Sequence, residues 1–173
     1  MARMNKLIDQ KKNKMKEKII ILEMLKSKMK DQLREAETAY EKTAEYTKSE
    51  ELRAESKYDT RGVEAGMLAG AQKKRVDELK QDLELLDSIP INEENKKDIQ
   101  LGSLVELEMN KIKRKYFLSS CAGGTMLEIK GEAVLVISVF SPMGIEMIGL
   151  KSQDSFTLEM TSGNRDYTVL NIS

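Results

Sequence analysis

Residues 134–173 read VLVISVFSPMGIEMIGLKSQDSFTLEMTSGNRDYTVLNIS and decide the fold of the C-terminal part of the chain. The apolar, β-branched run 134–139 predicts a buried strand. Pro142 ends it, because proline fixes φ and donates no backbone N–H. Ser141 is suited to cap a short helix that starts at Pro142 and reaches Leu150. Alternation over residues 154–160 predicts a second strand, residues 162–164 a turn, and residues 167–172 a closing strand.

The segment upstream of this stretch extends the β-rich region back to residue 98. We expect a strand near residues 104–109, a turn at 110–111, a strand around 115–119 and a loop at 122–124. Residues 91–97, INEENKK, are polar and read as the end of a linker over 90–97. Residues 98–173 are enough for a small core of their own. They are therefore predicted to form a separate C-terminal domain.

The spacing of apolar residues predicts that the first 89 residues are helical. Apolar residues recur every seven positions in residues 1–50, and no glycine or proline interrupts them before Gly62. A second seam follows over residues 63–89 and ends before Pro90. Members of the first stripe are Ile8, Met15, Leu22, Leu25, Met29, Leu33, Ala36, Ala39, Tyr40 and Tyr46; those of the second are Ala65, Ala69, Gln72, Val76, Leu79, Leu83 and Leu86. Two such helices predict an antiparallel coiled-coil hairpin over residues 1–89, with its tip at about 52–62.

Two features of this hairpin leave alternatives open. Gly62, Gly66 and Gly70 recur at four-residue spacing. They predict either a close approach of the two helices or a weakly helical tip, because glycine costs about 1 kcal/mol relative to alanine in a helix. The first helix is also longer than its partner. Its first fifteen or so residues either overhang, pack on the C-terminal domain or lack order.

Composition excludes several classes of function. The chain of 173 residues has 29 basic and 29 acidic residues, so its formal net charge is zero, and it has no histidine. Histidine-based catalysis and histidine-ligated metals are therefore absent from this chain. The single cysteine, Cys121, allows no intrachain disulfide, which fits a cytoplasmic protein. No apolar run approaches the length of a membrane span.

The charge along the first helix is uneven. Residues 1–30 carry ten Lys or Arg and three Asp or Glu, whereas residues 31–64 carry six and ten. The basic residues at the start of the helix either attract RNA or an acidic protein surface, or they form only a solvated helix face.

The C-terminal motifs resemble those of the Gre-type bacterial transcript cleavage factors (GreA/GreB). The family pattern I-S-V-[DN]-S-P-[IM]-A-R-x-L-[IL]-G-K is similar to ISVFSPMGIEMIGLK at residues 137–151, and DIQLGSLVELE at 98–108 resembles the family's V-x-F-G-S-x-V-x-L. The resemblance implies an α+β fold: a long N-terminal antiparallel coiled-coil hairpin, then a small FKBP-like antiparallel β domain with a short helix. It also implies a transcription elongation factor, with transcription regulation and DNA binding among its associations.

The resemblance assigns a role to the tip, where residues 51–66 read ELRAESKYDTRGVEAG. In the family, tip carboxylates enter the secondary channel of RNA polymerase and hold a second Mg²⁺ beside the polymerase's own. Such an ion needs only one or two protein carboxylates, and the two ions together activate water for hydrolysis. Glu55 matches the family's Asp, while Tyr58 stands where the family has Glu. Asp59 is the substitute, four residues from Glu55.

The resemblance also implies contacts with partners. Lys57 and Arg61 flank the tip carboxylates, and are expected either to contact RNA phosphates or to neutralise the tip. The residue before Ser-Pro is acidic or an amide in the family and grips the channel rim; here it is Phe140. We expect Phe140, Ser141, Pro142 and Met143 to bind RNA polymerase, with Phe140 as an apolar anchor or as core filling.

Four functions compete on the sequence. The leading one is a monomeric, cytoplasmic factor that binds RNA polymerase and stimulates cleavage of nascent RNA, is not itself an enzyme, and shares Mg²⁺ with the polymerase. The nearest rival is a non-cleaving secondary-channel regulator or inhibitor. A prolyl isomerase is disfavoured, because few aromatic residues are available for its pocket. A coiled-coil adaptor predicts a parallel oligomer instead of an antiparallel hairpin in a monomer.

Overall fold

The computed structural model describes residues 2–53, 61–91, 97–161 and 163–173, and within the first segment the side chains of residues 13–49. Two long helices come first, α1 (Ala2–Arg53) and α2 (Arg61–Asp87). The remaining elements are β1 (Leu104–Met109), β2 (Ile112–Ser119), β3 (Met126–Ile129), β4 (Glu132–Ser138), α3 (Pro142–Met147), β5 (Ser155–Leu158) and β6 (Arg165–Ile172). The predicted α+β class, with two long helices before a β-rich domain, is confirmed.

The strands form one six-stranded sheet in the order β3-β4-β2-β1-β6-β5. All neighbouring strands are antiparallel except β2 and β4, which pair in parallel from Lys115 opposite Val134 to Ser119 opposite Ser138. The five predicted strands are present. β3 was not predicted, because it has only four residues at the sheet edge and follows the two glycines of the loop.

The chain divides into two compact units. The β unit comprises residues 1–25 and 85–173, and the hairpin unit comprises residues 26–84. The sequence predicts two domains that follow one another along the chain, residues 1–89 and 98–173. The compact β unit instead includes the start of α1 together with the sheet. Those boundaries therefore stay a prediction.

One face of the sheet carries the core of the β unit. Its fully buried residues include Val105, Leu118 and Val169, and Met147 of α3 joins them with no exposed surface. Phe156 and Tyr167 stack with their ring centroids 5.1 Å apart. The short helix α3 is thereby fixed to this face.

The opposite face of the sheet is covered by the start of α1. Lys115 marks this face, because its ammonium group lies 3.9 Å from Glu17 of α1. Phe117 is two residues further along the strand, so its side chain lies on the same face, and it is completely buried. Ile21 and Leu25 of α1 are also buried. Of the first fifteen residues, Asn13 and Lys14 contact the β unit through hydrogen bonds with Lys130 and Asn171, at 3.1 and 3.0 Å. The side chains of residues 1–12 lie outside the described part of the chain, so the three alternatives stay predictions for them.

A group of ion pairs lies at the margin of this contact. Lys115 Nζ lies 2.5 Å from Glu132 Oε2, and Lys130 Nζ lies 3.3 Å from Glu17 Oε1. The hydrogen bond to Glu132 raises the pKa of Lys115, and the same bond lowers the pKa of the Glu132 carboxyl. Burial lowers the pKa of Lys14, whose Nζ donates to Asn171 Oδ1 at 3.0 Å. The contacts of Lys14 and of Lys130 with Glu17 join α1 to the β unit, whereas the pair of Lys115 and Glu132 joins β2 to β4.

In the hairpin unit, the two helices pack along one seam. Lys80 Nζ lies 2.9 Å from Glu37 Oε1, and only residues 54–60 separate α1 from α2, so the helices run antiparallel. Met29, Ala65, Val76 and Leu79 of the predicted stripes are buried. Tyr46 is 52% exposed, so this member of the predicted first stripe contributes no buried side chain to the seam.

The glycines of α2 do not mark a close approach between helices. A Cβ atom built on Gly62, Gly66 or Gly70 meets no atom within 4 Å in the described part of the chain. The alternative of tight helix packing at these positions is therefore wrong. All three glycines nevertheless lie inside α2, because the helix begins at Arg61.

Candidate functional site

The tip of the hairpin is the first candidate site. Glu55, Lys57 and Asp59 lie outside the described residues, so their predicted roles stay predictions. Arg61 is exposed and is the first residue of α2. Within the described ranges no group of three or more acidic, cysteine or histidine side chains could hold a metal ion.

The turn between β4 and α3 is the second candidate site, and its geometry is defined by Ser141. The Ser141 hydroxyl accepts the backbone N–H of Gly144 at 3.1 Å and donates to the carbonyl oxygen of Ser138 at 2.7 Å. Pro142 occupies the first helical turn, where no backbone N–H is needed. The predicted cap is confirmed. The helix ends at Met147 and not at Leu150, because Ile148 has an extended ψ of 131° and a turn follows in which Gly149 adopts a positive φ of 82°.

Gly144 lets α3 lie directly on the end of β4. A Cβ atom at this position would lie 2.1 Å from the carbonyl oxygen of Ser138 and 2.9 Å from Cα of Val139. Any side chain at residue 144 would therefore displace the backbone. The contact holds the turn and the short helix in one position on the sheet.

Of the four residues predicted to bind a partner, two are exposed and two are half-buried. Phe140 is 75% exposed and Pro142 is exposed. Ser141 is half-buried, and its hydroxyl is engaged in hydrogen bonds within the turn. Met143 is half-buried and packs against the core. The interpretation of Phe140 as core filling is therefore wrong, while its role as an anchor stays a prediction.

Sequence reasoning missed two further exposed apolar residues at this turn. Ile145 is 62% exposed and Ile148 is 44% exposed. Phe140 precedes the cap residue and Ile145 is the fourth residue of the helix, which are the two positions that pair in a hydrophobic staple. That spacing of five residues around Ser141 is visible in the sequence and could have identified Ile145.

The solved structures described below are distant from this chain in sequence. No protein-family model and no curated protein matches it. Solved structures include the transcription factor Gfh1, at 23% identity over 85% of this chain and 92% of that one, with a TM-score of 0.38. GreA factor homolog 1 (Gfh1) of Thermus thermophilus has 22% identity over 86% and 94%, with a TM-score of 0.37.

A third similar structure is the prokaryotic transcription elongation factor GreA/GreB from Nitrosomonas europaea. It has 16% identity over 62% of this chain and 89% of that one, with a TM-score of 0.36. Because these TM-scores and identities are low, we base the function proposed below on the residues of the chain itself.

Proposed function

We propose that this protein is a transcription elongation factor that binds RNA polymerase, inserts the tip of its hairpin into the secondary channel and stimulates cleavage of nascent RNA in backtracked complexes. The observation that carries the proposal is the order of elements. A long two-helix hairpin is followed by a sheet whose Ser141–Pro142 turn is capped and exposed at Phe140. This is the arrangement that the sequence motifs predict for a Gre-type factor.

The hairpin supports the insertion step. Residues 26–53 of α1 cover about 42 Å at 1.5 Å per residue, and α2 starts at Arg61 and runs antiparallel to α1. Residues 54–60, which lie between the two helices in sequence, include Glu55 and Asp59. In the proposal, these carboxylates share a Mg²⁺ ion with the polymerase, and Lys57 and Arg61 contact RNA phosphates. The chain is not itself an enzyme and acts as a monomer in the cytoplasm.

A second candidate function keeps the docking and omits the chemistry. Tyr58 stands at the tip position where the family pattern has Glu. A phenol is protonated and neutral at pH 7, so it cannot supply the anionic oxygen that a carboxylate offers to a metal ion. This one residue favours a non-cleaving secondary-channel regulator or inhibitor that occupies the channel.

A cleavage assay distinguishes the two functions. RNA polymerase from the organism that encodes this chain is stalled in a backtracked complex, mixed with the protein and Mg²⁺, and its labelled RNA is separated on a gel. Shortened RNA that resumes extension supports the cleavage factor. Unshortened RNA with slowed extension supports the inhibitor.

Variants at the tip separate chemistry from docking. Glu55→Ala with Asp59→Ala is expected to abolish cleavage and leave polymerase binding nearly unchanged, because both residues lie in the connection, away from the Ser141 turn in sequence. The matched control is Glu51→Ala with Glu64→Ala, which removes two carboxylates from the adjoining helix ends. Loss of binding in the tip variant would mean that the tip docks and does not assist catalysis.

A further inference from the structure

The hairpin unit is packed unevenly along its length. We divide it into the inner hairpin, residues 26–41 and 74–84, and the outer hairpin, residues 42–49 and 61–73. Three apolar side chains of the inner hairpin are buried: Met29, Val76 and Leu79. The ion pair between Lys80 and Glu37, at 2.9 Å, also joins the two helices there. Within residues 42–49 and 61–73, only Ala65 is buried. Because an alanine side chain has little apolar area, its burial stabilises the outer hairpin only weakly.

The half-buried positions of the outer hairpin hold small or polar side chains. They are Thr43, Ala44, Thr47, Ser49, Gly62, Ala69 and Gln72. The Oε1 atom of Gln72 is buried and has no hydrogen-bond partner among the described residues. The large side chains of this part are exposed instead: Tyr46, Val63, Met67 and Leu68. Apolar burial therefore contributes little to the pairing of the two helices here, and an unsatisfied polar atom opposes it.

The part of α2 in the outer hairpin is also weakened as a helix. Gly62, Gly66 and Gly70 all lie within it. A Cβ atom on any of them would meet no atom within 4 Å in the described part of the chain, so packing does not require a glycine there. Each glycine lowers helix propensity relative to alanine. The glycines therefore reduce the stability of the helix without a compensating contact.

The part of α1 in the outer hairpin is weakened by its own hydroxyl groups. Thr43 and Thr47 donate from Oγ1 to the carbonyl oxygens four residues earlier, at 3.0 and 2.9 Å. Ser49 donates from Oγ to the carbonyl oxygen of Tyr46 at 2.8 Å. Hydrogen bonds of this kind compete with those of the helix backbone and slightly destabilise the helix. Both helices are thus weakened over the same length of the hairpin.

We infer that the outer hairpin is a conformational device: in the free protein its two helices open together as one unit while the inner hairpin stays folded. Segments that bury few apolar groups open with a smaller free energy than the whole protein. A ligand that requires the two helices to be paired binds the closed state and shifts the equilibrium towards it. This inference goes beyond the proposed function and does not depend on it.

Hydrogen exchange of the full chain, resolved by mass spectrometry, tests the inference. After correction for intrinsic rates, amides of the outer hairpin are expected to exchange about tenfold faster than those of residues 76–84, or more. Gly66→Ala combined with Gly70→Ala should slow this exchange about fivefold for each substitution, equal to about 1 kcal/mol each. The slowing should appear in residues 42–49 as well as in 61–73, because the two helices open together. Ser27→Ala, on the exposed surface of the inner hairpin, is the matched control and should leave exchange in the outer hairpin unchanged.

Two results would overturn the inference. In the first, the outer hairpin exchanges as slowly as residues 76–84, so that it opens only when the whole unit unfolds. In the second, the alanine pair slows exchange in residues 61–73 alone, so that α2 frays without α1. Core RNA polymerase added to the unchanged chain then tests the proposed function separately. Slower exchange in the outer hairpin would support that function, and unchanged exchange would count against it, while the free protein alone decides the inference.

Discussion

The hairpin unit and the β unit bury their apolar residues in different ways. In the hairpin unit each helix contributes one line of buried side chains, represented by Met29 on α1 and Val76 and Leu79 on α2. In the β unit both faces of one sheet are covered, one by α3 and the other by the start of α1. A side chain in the sheet is thus enclosed from two sides, whereas a side chain in the hairpin seam is enclosed only by one partner helix. Truncating a buried side chain should therefore lower the free energy of unfolding more in the sheet than in the hairpin seam.

The largest effect is expected from truncating the two cores. Phe117→Ala should lower the free energy of unfolding of the β unit by about 3–5 kcal/mol, because a wholly buried ring leaves a cavity. Leu79→Ala should cost about 2 kcal/mol, the low end for leucine, because two helices can move together and close the space. Urea unfolding combined with hydrogen exchange resolved by region measures both values. Equal losses in the two variants would contradict the comparison.

The next effect concerns glycines in the two units. Gly144→Ala should destabilise the β unit by about 2–3 kcal/mol, because the added methyl group meets backbone that cannot move freely. Gly66→Ala is the control in the hairpin, where the same methyl group meets open space. It should stabilise α2 by about 1 kcal/mol through helix propensity. Thermal melts of the two variants in opposite directions would support this view, and a stabilised Gly144→Ala would refute the close packing of α3.

A smaller effect is expected at the polar member of the hairpin seam. Gln72 Oε1 is buried and has no hydrogen-bond partner within the described residues. Gln72→Leu should raise the stability of the hairpin unit by about 1–2 kcal/mol, because it removes an unsatisfied polar atom. Sedimentation velocity accompanies the melt, since a polar residue in a coiled-coil seam can fix register and oligomeric state. A loss of stability would show that Gln72 is satisfied in solution; Gln81→Leu, on the exposed surface of α2, is the control.

The smallest effect concerns pH at the margin of the sheet. The hydrogen bond from Lys115 lowers the pKa of Glu132 in the folded protein. Its contribution to stability is therefore present above the ordinary carboxyl value of 4.5 and is lost as the pH falls through the lowered pKa. Glu132→Gln should reduce the melting temperature slightly at pH 7, and the difference from the unchanged chain should vanish in acid. Glu128→Gln on β3 serves as the control, and a difference that is constant with pH would rule out the ion pair as its cause.

Half of the second candidate site could be predicted from the sequence. Ser141 and Pro142 predict the helix cap by residue type alone, because a side-chain hydroxyl followed by proline is typical of the start of a helix. The staple spacing from Phe140 marks Ile145 in the sequence, but the exposure of Ile145 and Ile148 could not be recognised, because isoleucine in an apolar stretch is typical of a core. Their exposure depends on Gly144 and Met147 facing the sheet, which is a property of the packed domain.

The sequence by itself determined the local elements of this protein. Heptad spacing specified both long helices, β-branched and alternating runs specified five strands, and Ser141–Pro142 specified the cap, because each of these signals lies within a few residues of chain. Only the tertiary structure decided that β2 pairs with β4 in parallel, that β3 completes the sheet edge, and that residues 13–25 of α1 cover the second face of the sheet. These features join segments far apart in the chain. Their stability comes from apolar area buried between distant residues, which no local pattern records.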